Sequence, residues 1–191
     1  MNPGSHENQA ASALTREEIL RTLGALSDEL GKSGITGEIC LFGGTAMMLA
    51  FSARLSTKDI DALFQPTQKI RDIAERIAIS RHLPKHWLND GVKGFLSARH
   101  DTTSGNLPQF PHLRITMPVP EYLLAMKCMA ARIGGTQGES SDIEDIVFLI
   151  RHLGIESAPV VLDIVAAYYP AQQIPPKTQF LIESLFDEGK V

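Results

Sequence analysis

Two aspartates separated by one residue, Asp59 and Asp61, follow a glycine pair, Gly43 and Gly44. Asp59 lies fifteen residues after Gly44. They occupy positions i and i+2 of an apolar segment, residues 59–64, and side chains at that spacing project from one face of a β-strand. Adjacent carboxylates repel each other unless a cation lies between them, and their hard oxygen atoms suit Mg²⁺. The pair therefore predicts a magnesium site bound by Asp59 and Asp61. The alternative is an edge strand with solvated acids.

The glycine pair, Gly43 and Gly44, lies between two apolar segments of different character. Residues 39–42 predict a buried strand, and residues 45–53 are typical of a helix packed against a sheet. A strand, a glycine turn and a helix start expose backbone N–H groups that can hold a phosphate. Thr45 is a candidate helix cap, a candidate phosphate donor, or both. A tight turn without a ligand is the alternative, but the nearby acids favour phosphate binding and hence nucleotidyl transfer.

Further candidate residues lie on three later segments. Lys127 occupies an inward-leaning helical position, where a lysine rarely lies without a partner. It is predicted to bind a triphosphate or to form an ion pair with Asp142 or Asp145, and the two roles are compatible because an ion pair can open. Asp142 and Asp145 share one helix face, and their alternative role is to stabilise the helix N-terminus. Ser56 is a candidate hydroxyl that supports the metal site.

These blocks resemble the nucleotidyltransferase fold, and specifically the AbiEii-like branch of bacterial abortive-infection and toxin–antitoxin proteins. The resemblance covers roughly residues 39–153, more than half of the chain. It rests on four blocks in order, which are residues 43–46, 59–61, 123–132 and 142–146. It implies a small mixed β-sheet flanked by helices, an α/β fold, with a helical C-terminal extension. The implied site has phosphates at Gly43, Gly44, Thr45 and Ser56, a metal at Asp59 and Asp61, and catalytic roles for these acids, Lys127, Asp142 and Asp145.

The function implied by the resemblance is Mg²⁺-dependent transfer of a nucleoside monophosphate from an NTP to a hydroxyl of a macromolecular acceptor. The expected acceptor is tRNA or another RNA, and the expected role is that of a toxin with a cognate antitoxin protein. One feature departs from the wider fold, because many of its members carry a third carboxylate on a later strand. The candidate strand, residues 113–117, has none, and Asp90, Glu121 or an acid of the helix at 142–146 would have to replace it.

The missing acid leaves a second hypothesis open, a non-catalytic module of the same fold that binds nucleotide or docks a partner. Catalysis requires the aspartate pair, Lys127 and an acid of the later helix to converge on an open cleft. In a binding module, Lys127 would be held between aspartates, and Phe95 or Trp87 would fill the cleft. The two hypotheses therefore predict different site geometries.

Composition bounds the class of protein. The chain has 191 residues, 43% of them hydrophobic and 21% charged, which suits one domain or one domain with a small appendage. Its net charge of −4 does not favour nucleic-acid binding by the protein as a whole. Residues 69–99, however, carry seven Lys/Arg against three acids. That surplus fits either a bound polyanion or a solvated surface. Two distant cysteines, no apolar run of membrane length and no signal peptide predict a cytoplasmic protein without a membrane partner.

The expected organisation is a disordered tail (1–13), an α/β core (14–118) and a helical C-terminal part packed on the core (119–191). A Thr15–Glu18 capping box predicts the first helix, which ends near Gly31 or Gly34. Other predicted elements are a helix from Pro66–Thr67, a short helix or turn at 87–95, a mobile loop at 97–111 and a strand at 113–117. The C-terminal predictions are a helix at 120–133, a flexible linker at 136–140, an acidic helix capped by Ser140 or Ser141, and helices at 158–169 and 176–188.

Overall fold

The structure, a computed structural model, describes residues 13–132 and 137–191, with the backbone alone for residues 137–140. The helices in the described residues are α1 (Arg16–Lys32), α2 (Gly43–Phe51), α3 (Thr67–Arg81), α4 (Pro120–Ala130), α5 (Gln137–His152), α6 (Ala158–Tyr168) and α7 (Pro176–Asp187). The strands are β1 (Leu14–Thr15), β2 (Gly37–Leu41), β3 (Ser56–Thr57), β4 (Ile60–Gln65), β5 (Leu88–Asn89), β6 (Thr102–Thr103) and β7 (Leu113–Pro118).

Five strands form one mixed sheet in the order β5-β4-β2-β7-β6. At its centre, β2 pairs antiparallel with β4 and parallel with β7. The edge strands β5 and β6 pair parallel with β4 and antiparallel with β7, respectively. The two short strands β1 and β3 form a separate antiparallel pair. The predicted fold class, a small mixed sheet flanked by helices with a helical C-terminal part, is confirmed.

The two faces of the sheet differ in burial. Ile39, Phe64 and Ile115 lie in register on one face and are buried, and α1 and α3 pack on the strands from this side. The opposite face is only partly covered, and on β4 it carries Asp61 two residues before the half-buried Leu63. Because side chains alternate along a strand, the apolar pattern of β4 forces Asp61 to the open face.

The C-terminal helices pack around α4, which contacts β7, α5, α6 and α7. Their apolar residues join those of the sheet and of α1 to α3 in one hydrophobic core. Cys40 and Cys128 are both free thiols, and Cys128 is buried whereas Cys40 is half-buried. No helix in the described ranges has the length and apolar character needed to cross a membrane.

Several predicted boundaries within the core need correction. The strand that carries the aspartates begins at Ile60, so Asp59 directly precedes β4. Residues 87–95 are not one helical unit, because Leu88–Asn89 forms β5 against β4 and a 3₁₀ helix, Gly91–Phe95, follows. The segment predicted as a loop at 97–111 includes β6. In both places the open edge of a sheet gave short segments hydrogen-bond partners that local sequence does not reveal.

The C-terminal boundaries also differ from prediction. Helix α4 ends at Ala130, so the predicted helix is wrong for residues 131 and 132. Residue 133 and the predicted glycine stop lie outside the described residues. The predicted linker is wrong for residues 137–140, which belong to α5, while residue 136 lies outside the described part. Ser140 and Ser141 are therefore inside α5 and do not cap it. Most of the predicted tail, residues 1–12, is also outside the described residues.

Candidate active site

The glycine turn, at the start of α2, brings backbone close to a carboxylate. Gly43 adopts a left-handed conformation with φ +55°, and a Cβ atom on it would lie 2.7 Å from the Asp61 Oδ2 atom. A Cβ atom on Gly44 would lie 2.8 Å from the Thr57 hydroxyl oxygen. The preceding residue, Phe42, is extended and offers no side-chain cap to α2. The glycines are thus needed for close packing as well as for an uncapped helix N-terminus that faces the cleft.

The aspartate pair stands at the start of β4. Asp59 Oδ2 accepts a hydrogen bond from Asn89 Nδ2 at 3.0 Å, and Asp61 borders Gly43. Among the residues that the structure describes, no Lys, Arg or His side chain forms an ion pair with either acid. Burial, followed by the neighbouring Asp61 charge, raises the pKa of the Asp59 carboxyl above its ordinary value. The Asn89 hydrogen bond and the Lys58 charge oppose that rise without outweighing it, so the pair keeps negative charge that no ion pair in the described residues neutralises.

That charge fits a hard divalent cation. Two half-buried carboxylates supply oxygen ligands, and Mg²⁺ commonly takes one or two carboxylates and completes its coordination with water and phosphate. The described residues contain no cluster of three or more His, Cys, Asp or Glu side chains suited to a metal. Asp59 and Asp61 would therefore supply only part of a Mg²⁺ ligand set, which water and a bound phosphate would have to complete.

Thr45 and Ser56 occupy different positions from each other. Thr45 is fully buried, and its hydroxyl donates to the Asp59 carbonyl oxygen at 3.2 Å. Thr57 donates to the same carbonyl at 3.2 Å. Thr45 thus orients the backbone before β4, and its side chain is committed away from a phosphate. Ser56 is exposed and lines the cleft beside Asp59, consistent with the predicted supporting hydroxyl.

Lys127 enters the cleft from α4. Its ammonium lies 2.6 Å from Asp145 Oδ2 and 3.8 Å from Asp142 Oδ1, and its side chain is 12% exposed. The predicted ion pair is therefore present, and it involves both aspartates. The side chain also lines the same cleft as Asp59 and Asp61. Lys127 is thus ion-paired and, at the same time, lines the cleft next to Gly43 and Gly44.

Arg54, like Asn89, is a site residue that the sequence did not reveal. Its Nε donates to Asp145 Oδ1 at 2.7 Å and its Nη2 to Asp145 Oδ2 at 2.5 Å. The Nη2 atom also donates to the Ser141 carbonyl at 2.7 Å. These partners lie about ninety residues along the chain, a separation of 91 for Asp145, so no local spacing could have identified the contact. The only signal was the position of Arg54 just before the aspartate pair.

The cleft combines these groups in a volume of about 390 Å³. It is lined by both glycines, Arg54, Asp59, Asp61, Lys127 and Asp142, among others. An apolar cavity of about 410 Å³ adjoins it and shares Gly43, Asp61 and Lys127. Its apolar wall is formed by Phe42, Val92, Phe95, Leu123 and Met126.

The two aromatic residues considered as cleft fillers differ in position. Trp87 is fully buried in the core, and its indole N–H donates to the Ala74 carbonyl at 3.0 Å. Phe95 is 44% exposed and forms one wall of the apolar cavity, while its carbonyl accepts a hydrogen bond from the Tyr169 hydroxyl. Neither side chain is among those that line the polar cleft.

Two proposed substitutes for the missing strand acid lie away from the cleft. Asp90 forms ion pairs with Lys93 and Arg71, and the Lys93 contact lowers the pKa of its carboxyl. It borders a separate cavity over Cys40 on the open sheet face. Glu121 is exposed at the start of α4 and is not among the cleft-lining residues. Asp142 is the remaining candidate that does line the cleft.

The basic surplus of residues 69–99 is partly neutralised. Four of its seven cations form ion pairs with acids, which are Arg71 and Lys93 with Asp90, Arg76 with Glu29, and Arg99 with Asp101. This segment therefore presents a smaller positive surface than its sequence suggests.

Comparison with known proteins gave no match: no protein-family model, no curated protein and no solved structure is significantly similar to the chain.

Proposed function

We propose that this chain is a Mg²⁺-dependent nucleotidyltransferase that transfers a nucleoside monophosphate from an NTP to a hydroxyl of a macromolecular acceptor. The observation that carries the proposal is one cleft lined by the glycine turn, the aspartate pair and Lys127. A metal-bound triphosphate needs three kinds of group, and the cleft has all of them. They are a pair of acids that suits a metal, backbone donors at a helix start, and a cation. The AbiEii-like resemblance adds the proposed biological role, a toxin that acts on the 3′ end of a tRNA.

Each site residue has a separate task in this proposal. The N–H groups of Gly43 and Gly44 bind phosphate oxygens, and Lys127 neutralises charge on the β- and γ-phosphates. Asp59 and Asp61 hold Mg²⁺, which when bound supplies charge neutralisation and orients an in-line displacement. Asn89 keeps the Asp59 carboxylate directed into the cleft through its amide hydrogen bond.

The reaction forms a bond between the acceptor oxygen and the α-phosphorus. The bond from that phosphorus to the oxygen shared with the β-phosphate breaks, and pyrophosphate leaves with the electron pair. The hydroxyl proton is lost to solvent or to an acid of the cleft, for which Asp142 is the candidate in place of a strand carboxylate. The apolar cavity beside Gly43 is large enough to hold the nucleoside, since small-molecule pockets start at about 300 Å³.

The first test is binding. Thermal unfolding is measured with each of the four common NTPs, with and without Mg²⁺, because a ligand that binds the folded state raises its apparent stability. We expect a Mg²⁺-dependent rise for at least one NTP with wild type and none with Asp59→Ala. Asp72→Ala, an exposed acid on α3, is the matched control and should behave as wild type. If no NTP at millimolar concentration shifts wild type, the proposal fails.

The second test is transfer. The protein is incubated with labelled NTPs and total RNA, and label in RNA should appear with wild type and Asp72→Ala but not with Asp59→Ala. Label that persists with Asp59→Ala would point to a contaminant or to a different site.

A non-catalytic nucleotide-binding or partner-docking module is the second candidate function. It is favoured by the ion pair of Lys127 with Asp145 and by the lack of an acid on β7. A nucleotide-binding module predicts the same Mg²⁺-dependent thermal shift without RNA labelling, whereas a partner-docking module predicts neither. The pair of experiments therefore separates the two functions.

A further inference from the structure

Asp145 is a buried acid with two cationic partners. Its side chain is 3% exposed, and its Oδ2 atom contacts both Arg54 Nη2 and Lys127 Nζ, at 2.5 and 2.6 Å. Arg54 holds it through two parallel hydrogen bonds and holds the adjacent α5 backbone through the Ser141 carbonyl. The planar guanidinium fork fixes a carboxylate more rigidly than the single ammonium of lysine does.

The two cations are not equivalent. If Lys127 were the sole partner of Asp145, moving it to a phosphate would leave a buried carboxylate uncompensated, which is strongly unfavourable. With Arg54 in place, Asp145 retains a full counter-charge after Lys127 leaves. Lys127 needs no large displacement, because it already lines the cleft that contains Gly43, Gly44 and the aspartate pair.

We propose that Arg54 is a positioning residue, the permanent counter-ion of Asp145, and that it makes Lys127 releasable to a bound triphosphate. Asp145 is then the resting partner of Lys127 in the free protein. This inference rests on the proposed function, since it requires a phosphate ligand in the cleft.

A direct contact between Arg54 and the ligand is the competing explanation. The Nη1 atom of Arg54 lies 3.3 Å from the position that a Cβ atom on Gly44 would take. It is therefore close to the backbone that is proposed to bind phosphate. Simple removal of Arg54 would weaken binding in either case. A double-mutant cycle over Arg54→Met, Asp145→Asn and the combined variant separates the two explanations, because only the counter-ion role makes the effect of Arg54→Met depend on the charge of Asp145.

The experiment measures the affinity for inorganic tripolyphosphate with Mg²⁺, and for the NTP that shifts wild type most, by calorimetry. Arg54→Met should weaken binding by about tenfold, a usual size for coupling between contacting residues. Arg54→Met combined with Asp145→Asn should recover affinity to within about threefold of wild type, since Lys127 is then no longer held by a charge. Arg54→Lys should keep most of the affinity while lowering the unfolding temperature.

Arg16→Met is the control for the loss of an arginine that donates to backbone carbonyls outside the cleft. The Arg16 Nη1 atom donates to the Met48 and Leu49 carbonyls near the end of α2, at 2.9 and 3.1 Å, and Arg16 forms no ion pair with an acid in the described residues. This variant should lose stability and keep wild-type affinity.

Three results would overturn the inference. Unchanged affinity in folded Arg54→Met would make Arg54 purely structural. No recovery in the double variant, with a cooperative unfolding transition retained, would favour a direct phosphate contact. Absence of binding by wild type itself would overturn both this inference and the proposed function, whereas the first two results leave the proposed function standing.

Discussion

The protein contains two pairs of aspartates near one cleft, and their surroundings are opposite. Asp142 and Asp145 on α5 are met by three cations, Arg54, Lys127 and Arg132. Asp59 and Asp61 form no ion pair with any side chain in the described residues. The first pair is therefore compensated within the protein, while the second is left with a charge that a ligand can satisfy. Acid spacing alone does not distinguish an ion-paired couple of aspartates from one without ion pairs, but the three-dimensional positions of the cations do.

Removal of Asp145 tests the compensated pair and should have the largest effect on stability. Asp145→Ala leaves Arg54 and Lys127 beside each other without their buried partner, and we expect a loss of about 3 kcal/mol in the free energy of unfolding. Urea unfolding measures it. Glu17→Ala, which removes an exposed acid paired with Arg21 on α1, is the control and should stay within about 0.5 kcal/mol of wild type. A free energy of unfolding for Asp145→Ala equal to that of the control would show that the network contributes no stability.

The glycine turn offers a test of the uncompensated pair. Gly43→Ala places a methyl group 2.7 Å from Asp61 Oδ2 and imposes an L residue on a φ of +55°. Gly34 has a similar φ of +65° with no atom within 4 Å of an added Cβ atom, so Gly34→Ala reports backbone strain alone. Both variants should lose about 1–2 kcal/mol from strain. Gly43→Ala alone should also lose the Mg²⁺-dependent thermal shift, and retention of that shift would contradict the assigned role of Asp61.

Neutralising Asp59 should stabilise the protein in the absence of a divalent cation. Asp59→Asn keeps an acceptor for the Asn89 amide and removes repulsion from Asp61. We expect a gain of roughly 0.5–1 kcal/mol at pH 7, a rise of about 2–3 °C in Tm, as is common when a functional charge is removed. Excess Mg²⁺ with NTP should reverse the order, because only wild type gains stability from the ligand. A lower Tm for Asp59→Asn under metal-free conditions would contradict the uncompensated charge.

The same variant yields a pH dependence of known sign. Because the pKa of Asp59 is raised in the folded state, the folded protein binds this proton more tightly than the unfolded chain does. The contribution of Asp59 to stability therefore falls as pH rises from the ordinary aspartate range, about 3.9, through its raised value, and the penalty is complete above it. The difference in free energy of unfolding between Asp59→Asn and wild type should grow over that window and then level off. A difference that shrinks with rising pH would refute this assignment.

The smallest effect on stability is expected for the exposed cation that contacts the compensated pair. Arg132 is 71% exposed and lies 3.5 Å from Asp142, so solvent screens the contact. Arg132→Ala should change the free energy of unfolding by no more than about 0.5 kcal/mol. A loss comparable to that of Asp145→Ala in the same urea assay would mean that the exposed arginine is part of the buried network.

Most helices and the three longer strands followed from local pattern. The capping box at Thr15 and Glu18 is present, and the helix predicted after Pro66 begins at Thr67. Failures occurred where an element depends on a distant partner. The strand Leu88–Asn89 exists because β4 offers it an edge, and the start of α5 is anchored by a hydrogen bond from Arg54 to Ser141.

The candidate site was also partly predictable. The glycines and the aspartate pair are close in sequence, so the two elements that carry them had to be neighbours, and Lys127 with its two aspartates was recognised as a possible ion-pair group. Thr45 was expected at a phosphate and instead donates to the Asp59 carbonyl. Arg54 was missed because its partner is far along the chain, and side-chain pairing at that range is set by packing and not by spacing.

The sequence by itself determined which residue types could do chemistry and which face of each element they occupy. Periodicity of two along β4 already places Asp61, since burial of one face leaves the other little choice. Lys127 stands in a helix that is apolar on nearly every side, which indicated that a lysine there needs a partner. Only the tertiary structure decided which acids are compensated. That outcome depends on where Arg54, Lys127 and Arg132 meet α5, and an electrostatic interaction is set by distance in space and by burial, neither of which sequence separation specifies.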